Sequence, residues 1–186
     1  MKDIIKKYAL QFGINPAALH AFISTETGGK GFDEKTGKLI IQFEPKWFKK
    51  KSPYSPSGAW SVNGIDVQSK EWIAFNDAFS KDKKAAMEST SIGIGQIMGF
   101  NYKTLGYASV DEMWDDAKKG IDRQIYQICM FIKNTRGLMY ALKTKDWHMV
   151  ATIYNGKYYK SIALKMNREP YDKTMKRYYD KYEELY

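Results

Sequence analysis

The stretch Leu19-His-Ala-Phe-Ile-Ser-Thr-Glu-Thr-Gly-Gly29 decides how the rest of this sequence is read. Asn15-Pro16 just ahead of it is a helix-start signal: a side chain that can cap the free N–H groups, then a proline at the first helical position. Leu19, Phe22 and Ile23 fall three and four residues apart and share one helix face. The next position on that face is Glu26, in the last turn before Gly28-Gly29 ends the helix. Apolar neighbours, lost water and the negative end of the helix dipole all raise the pKa of a carboxylate placed there. Taken alone, the segment also fits a glutamate that snorkels to solvent or pairs with a lysine.

The totals set the bounds. A chain of 186 residues with 44% hydrophobic and 27% charged residues fits one globular domain with a real core. Aromatic residues make up 15%, with 14 Tyr and 9 Phe, which suits ligands that have both apolar and hydroxylated faces. Thirty basic against 21 acidic residues give +9, which favours a polyanionic partner: nucleic acid, cell envelope or acidic lipid. The single cysteine, Cys129, excludes an internal disulfide framework and a cysteine-based zinc site, and its apolar surroundings over Ile125–Ile132 read as core. His20 and His148 have no metal-ligand spacing and read as structural. The opening MKDIIKKYALQFG is charged throughout, unlike a Sec-type signal peptide, and no stretch approaches membrane-spanning length.

Along the chain, Lys2–Phe12 reads as an amphipathic helix with Ile4, Ile5, Tyr8, Ala9 and Phe12 on one face, stopped by Gly13. After the Glu26 helix, Gly31-Phe32, the polar turn Asp33–Gly37 and Lys38–Phe43 read as a β-hairpin, the one convincing strand pair. Pro45–Lys51 reads as a short helix and Ser52–Asp66 as a loop. Ser69–Phe79 and Lys81–Glu88 read as helices. Ser91–Phe100 mixes glycine with Ile and Met, which suits a segment that approaches a ligand closely. Ser109 and Glu112 form a capping box. Ile121, Ile125, Ile128, Cys129 and Ile132 give a helical core stripe, and Arg136–Lys143, Trp147–Tyr154 and Tyr171–Glu184 complete a mainly helical chain.

A carboxylate ending a buried helix and followed at once by a hairpin suits glycosidic bond cleavage, which needs an acid still protonated near neutral pH. Three separated segments resemble the motifs of goose-type lysozymes and soluble lytic transglycosylases: TETGG (Thr25–Gly29), GIGQIMGFN (Gly93–Asn101) and IYNG (Ile153–Gly156). The resemblance tightens with the phage endolysin and prophage N-acetylmuramidase domain. TETGGKGF, LIIQFE (Leu39–Glu44), STSIGIGQIMGFN (Ser89–Asn101), GYASVDEM (Gly106–Met113) and YNGKYY (Tyr154–Tyr159) stand in that family's order. Two departures are modest. Thr27 stands where serine is usual, and Lys157-Tyr158 replaces the usual proline-glycine.

The resemblance implies a mainly α, lysozyme-like α+β fold: a helical bundle with one small β-hairpin next to the catalytic helix, residues 1–186 forming a single catalytic domain without a separate wall-binding module. It implies cleavage of the β-1,4 bond between N-acetylmuramic acid and N-acetylglucosamine in peptidoglycan, by hydrolysis or by the intramolecular closure of lytic transglycosylases. Glu26 is then the general acid, and Gln96, Tyr154 and Asn155 line the sugar cleft. Glu44, at the end of the hairpin strand, is the candidate second carboxylate. Some goose-type relatives lack a clear second carboxylate, so a structural role for Glu44 stays open. Asp33 and Glu34, in the turn, read as solvated. No metal or cofactor is implied, nor any nucleic-acid or integral membrane partner. The expected state is a monomer held in the host cytoplasm until lysis and then acting on the wall. The rival from another class is a basic nucleic-acid-binding protein, but the cations are spread along the chain and no nucleic-acid module stands out.

Overall fold

The computed structural model describes residues 1–54 and 67–186; of the loop expected over Ser52–Asp66, residues 55–66 lie outside the described part. Eleven α-helices and a three-stranded antiparallel sheet occur among the described residues, which is the mainly α, lysozyme-like class expected. None of these helices is long and apolar enough to cross a membrane. The chain divides into two compact units, one made of residues 1–29 and 128–186 and the other of residues 30–127.

The first unit is helical. α1 (Lys2–Phe12) buries Ile5, Tyr8 and Ala9, and ends where Gly13 turns left-handed. α2 (Pro16–Thr27) starts as its sequence dictates: the Asn15 side chain accepts a 3.0 Å bond from the Ala18 N–H, and Pro16 occupies the first turn. The eight residues from Ala17 to Ser24 are all buried. α2 is therefore covered on every side, not along the single stripe that Leu19, Phe22 and Ile23 suggest. Ala17, Ala18 and Ala21 make this possible, because their small side chains let neighbouring helices close on the remaining faces. α11 (Tyr171–Glu183) packs most extensively against it, with α1 on another side. α7 (Ile121–Asn134) enters this unit with its second half, where Ile128, Cys129 and Ile132 are fully buried. α8 (Leu138–Lys143), α9 (Trp147–Asn155) and α10 (Tyr159–Lys165) follow; α10 has no counterpart in the expectations from sequence.

The second unit holds the sheet. β1 (Ile41–Phe43) pairs with β2 (Thr90–Ile92), Gln42 opposite Ser91, and β2 pairs with β3 (Ile97–Met98). The hairpin expected over Gly31–Phe43 keeps its turn, with Asp33 Oδ1 accepting from the Thr36 N–H at 2.9 Å, but is reduced to one bridge between Phe32 and Leu39. The reason is that the outer edge of β1 is already taken. α4 (Gln68–Lys81) lays the Gln68 amide on both backbone groups of Ile41, at 3.0 and 2.9 Å, and the buried Glu71 carboxylate accepts from the Phe43 N–H at 2.9 Å. Side chains thus satisfy the backbone groups that another strand would have paired. α3 (Pro45–Lys51), α5 (Lys83–Glu88) and α6 (Val110–Lys118) complete the unit with the first half of α7.

Gln124, on that half of α7, is 2% exposed and bonds two backbone groups: its Oε1 accepts from the Ile94 N–H at 2.8 Å and its Nε2 donates to the Ala117 carbonyl at 3.0 Å. Gly93, at φ +68°, lets the chain turn against this amide where a Cβ would lie 2.8 Å from Oε1. Gln124→Leu keeps the bulk but strands both backbone groups in the interior, so it is expected to cost about 2–4 kcal/mol. A lower urea midpoint at unchanged slope checks this.

Candidate active site

Glu26 lies two residues beyond the buried run of α2, and Gly28 closes the helix at φ 64° with its N–H on the Ser24 carbonyl, 3.0 Å away. Part of the Glu26 surface is open. Its carboxyl is not left to solvent: the hydroxyl of Tyr171, the first residue of α11, donates a hydrogen bond to Oε1. Tyr154, near the end of α9, packs its ring edge-on to Phe22 (4.8 Å between centroids) and Phe131 (5.7 Å), and 6.1 Å from the Tyr171 ring.

Electrostatics follow from this setting. Burial pushes the Glu26 carboxyl up from an ordinary 4.5 to about 8, against the pull of the Tyr171 hydroxyl, which favours the carboxylate. The two tyrosines respond in kind: burial and then the negative charge of Glu26 hold both phenols well above their ordinary range. The structure thus places Glu26 close enough to Tyr154 for its charge to act on the phenol, and Tyr171 donates a hydrogen bond to the carboxyl. No sequence signal ties Tyr171 to Glu26, 145 residues away; it reads only as the start of the last helix. Asn155, at the end of α9, is exposed and lines a cleft of about 310 Å³ together with Thr25 and Tyr171.

The other two expected site residues belong to the second unit. Glu44 stands just before α3 without capping it through its side chain, and accepts a 3.1 Å bond from the Gln42 amide; burial raises its pKa and Lys46 opposes the rise. Gln96 takes φ 45°, in the left-handed region that a side chain seldom adopts. Its amide holds it there: Oε1 accepts from the Ser91 hydroxyl at 2.9 Å, and Nε2 donates to the Gly93 carbonyl at 2.9 Å. The glycine-rich segment Ser91–Phe100 is therefore a tight strand-turn-strand fastened by its own glutamine.

The remaining candidates are structural. Burial pushes the Cys129 thiol up to about 12, which leaves it inert as a nucleophile. His20 stacks on Tyr182 at 3.7 Å, and His148 shares a 2.7 Å hydrogen bond with the Tyr159 hydroxyl. A larger cavity, about 460 Å³, lies in the second unit beside Trp72 and Ile73, and its lining includes neither Glu26 nor Glu44.

Comparison with known proteins gives the family. The family model for N-acetylmuramidase matches residues 15–183. The chain belongs to the N-acetylmuramidase family. Membership brings with it the family's activity, the degradation of peptidoglycan. Among solved structures, the crystal structure of the Burkholderia AP3 phage endolysin is similar to this muramidase with a TM-score of 0.82 and 26% identity, over 100% of this chain and 71% of that one. None of the curated protein sequences compared with it is a match.

The raised pKa has a consequence for stability. An acid with a folded pKa above its unfolded one binds its proton more tightly in the native state, so its contribution is full below pH 4.5 and is lost as the pH rises towards 8. At pH 7 the loss is about 3 kcal/mol, taking about 1.4 kcal/mol per pH unit. Glu26→Gln removes this titration while keeping an acceptor for Tyr171. Its melting temperature is expected to match the parent near pH 4 and to exceed it by several degrees at pH 7, as measured by differential scanning calorimetry across that range.

Proposed function

We propose that this muramidase cleaves the β-1,4 bond between N-acetylmuramic acid and N-acetylglucosamine, with Glu26 as the general acid, and that it serves a phage as an endolysin. The observation that carries the reading is the Glu26 carboxyl, with its pKa lifted to about 8 and hydrogen-bonded to Tyr171, which lines a cleft. Such a group keeps its proton at neutral pH and can hand it to the glycosidic oxygen as the bond to the muramic acid C1 breaks. The proton ends on the O4 of N-acetylglucosamine, and water adds to C1 to give a reducing muramic acid end. The family match over residues 15–183 and the structural likeness over the whole chain support treating residues 1–186 as one catalytic domain. The likeness to a phage endolysin supports release from the host cytoplasm onto the wall at lysis.

In this reading Tyr171 holds the Glu26 carboxyl in one orientation, and Tyr154 walls it off from water. Asn155 meets the sugar chain, with Thr25 beside it. Gln96 keeps the glycine-rich turn in the shape that receives the glycan. Glu44 acts as the second carboxylate, steadying positive charge on the sugar or orienting water; its raised pKa marks a partly desolvated group suited to that work.

Glu26→Gln is expected to abolish turnover of purified peptidoglycan; retained lysis overturns the assignment. Because the acid must be protonated, the parent's rate is expected to fall as the pH passes about 8. Tyr171→Phe removes a hydrogen bond that favours the carboxylate, so its alkaline limb is expected at higher pH than the parent's. Glu44→Gln is expected to slow turnover at unchanged melting temperature, whereas a lower melting temperature with normal specific activity makes Glu44 structural. Mass spectrometry of the digest identifies the final step, since reducing and anhydro muramic acid ends differ by one water.

A further inference from the structure

α10 and its flanks differ in character from the rest of the first unit. From Lys157 to Arg168 the chain carries Lys157, Lys160, Lys165 and Arg168 and not one Asp or Glu. The same stretch leaves Tyr158, Ile162, Leu164 and Met166 between 50% and 82% exposed. Four large apolar side chains so close together on a water-facing surface mark a contact for something else.

This surface is not remote from the chemistry. Ile162, Ala163, Met166 and Arg168 line the same cleft as Thr25 and Tyr171, the first next to Glu26 in sequence and the second hydrogen-bonded to it. Lys160 is engaged with Asp172 at 3.2 Å, and the Glu169 carboxylate on the rim is held by Thr174 at 2.9 Å and Arg177 at 3.0 Å, which keep its pKa low. Among the described residues, neither Lys165 nor Arg168 has an ionic partner. The cleft wall thus offers Ile162 and Met166 with the unpaired Arg168 among them, and Lys165 stands exposed on the same helix, α10.

We propose that α10, with Arg168, binds the peptide stem carried by the muramic acid, and that the enzyme prefers peptide-bearing to bare glycan. The proposal rests on the muramidase reading of Glu26. A stem is a short, net-anionic peptide rich in alanine, attached through the lactyl group of the sugar whose C1 is cleaved. Its carboxylates match Lys165 and Arg168, and its methyl groups fit against Ile162 and Met166. Guanidinium–carboxylate pairing adds geometric selectivity to the charge. An anionic lipid surface would share the charge preference, but it would not call for a concave wall continuous with Tyr171 and Thr25.

The test uses the full chain and two substrates: intact peptidoglycan, and glycan strands from which an amidase has removed the stems. The double variant Lys165→Gln/Arg168→Gln changes two exposed side chains, so the fold is expected to be retained, as checked by circular dichroism. It is expected to lose about tenfold in kcat/KM on peptide-bearing substrate, through KM, and to match the parent on stem-free strands. Equal loss on both substrates, or none on either, overturns the proposal and leaves the muramidase reading standing. Failure of the parent to cleave either substrate overturns that reading itself. Binding of the parent to phosphatidylglycerol vesicles that the double variant loses, with no change in preference between the two substrates, makes the patch a membrane contact and also overturns the proposal.

Discussion

Everything in the first unit depends on burying α2 on all its faces. A helix covered that fully can keep a carboxyl only at its end, and only where another group receives it. Glu26 meets both conditions: it comes two residues after the last buried position of α2, and the Tyr171 hydroxyl is waiting for it. The same packing that stabilises α2 sets the proton affinity of Glu26, because desolvation is the leading cause of its raised pKa. Stability and chemistry are therefore in tension at this residue. The fold tolerates a carboxyl that would be more comfortable in water, and holds it protonated.

The second unit solves a different problem with amides. Its strands are three, three and two residues long, too short to pair all their backbone groups with each other. Gln68 takes the edge of β1, Gln124 bridges Ile94 and Ala117, and Gln96 locks its own turn. A glutamine can donate and accept at once, so one side chain replaces a two-way backbone pair. Glu71 serves the remaining donor, the Phe43 N–H. The outcome is a small sheet with specified register, built without long strands.

Much of this was legible in the sequence. Helix boundaries followed from caps and periodicity: α1 and α3 have the limits their patterns predict, and the Asn15-Pro16 start and Gly28 stop of α2 are in place. Glu26 was legible because a charged residue on an apolar stripe is an anomaly that local reasoning can see. Sheet pairing was not, because the partner of Ile41–Phe43 lies about fifty residues on and the competing edge contacts come from side chains on α4. Tyr171 was hidden for the same reason: its bond to Glu26 spans 145 residues, and nothing local distinguishes it from the chain's other tyrosines. α10 escaped because its exposed apolar residues break the periodicity by which helices are recognised.

The pairing of α2 with α11 also imposes an order on biosynthesis. The helix that covers α2 most and supplies the Glu26 partner leaves the ribosome some 145 residues after α2 does. At roughly 5–20 residues per second, that interval lasts on the order of ten seconds, during which the apolar surface of α2 lacks its principal cover. In that state Glu26 is not yet desolvated, so the burial that raises its pKa in the folded chain is missing. The setting of Glu26 is completed only when α11 is made, and a polypeptide released before Tyr171 would lack it and be prone to aggregate.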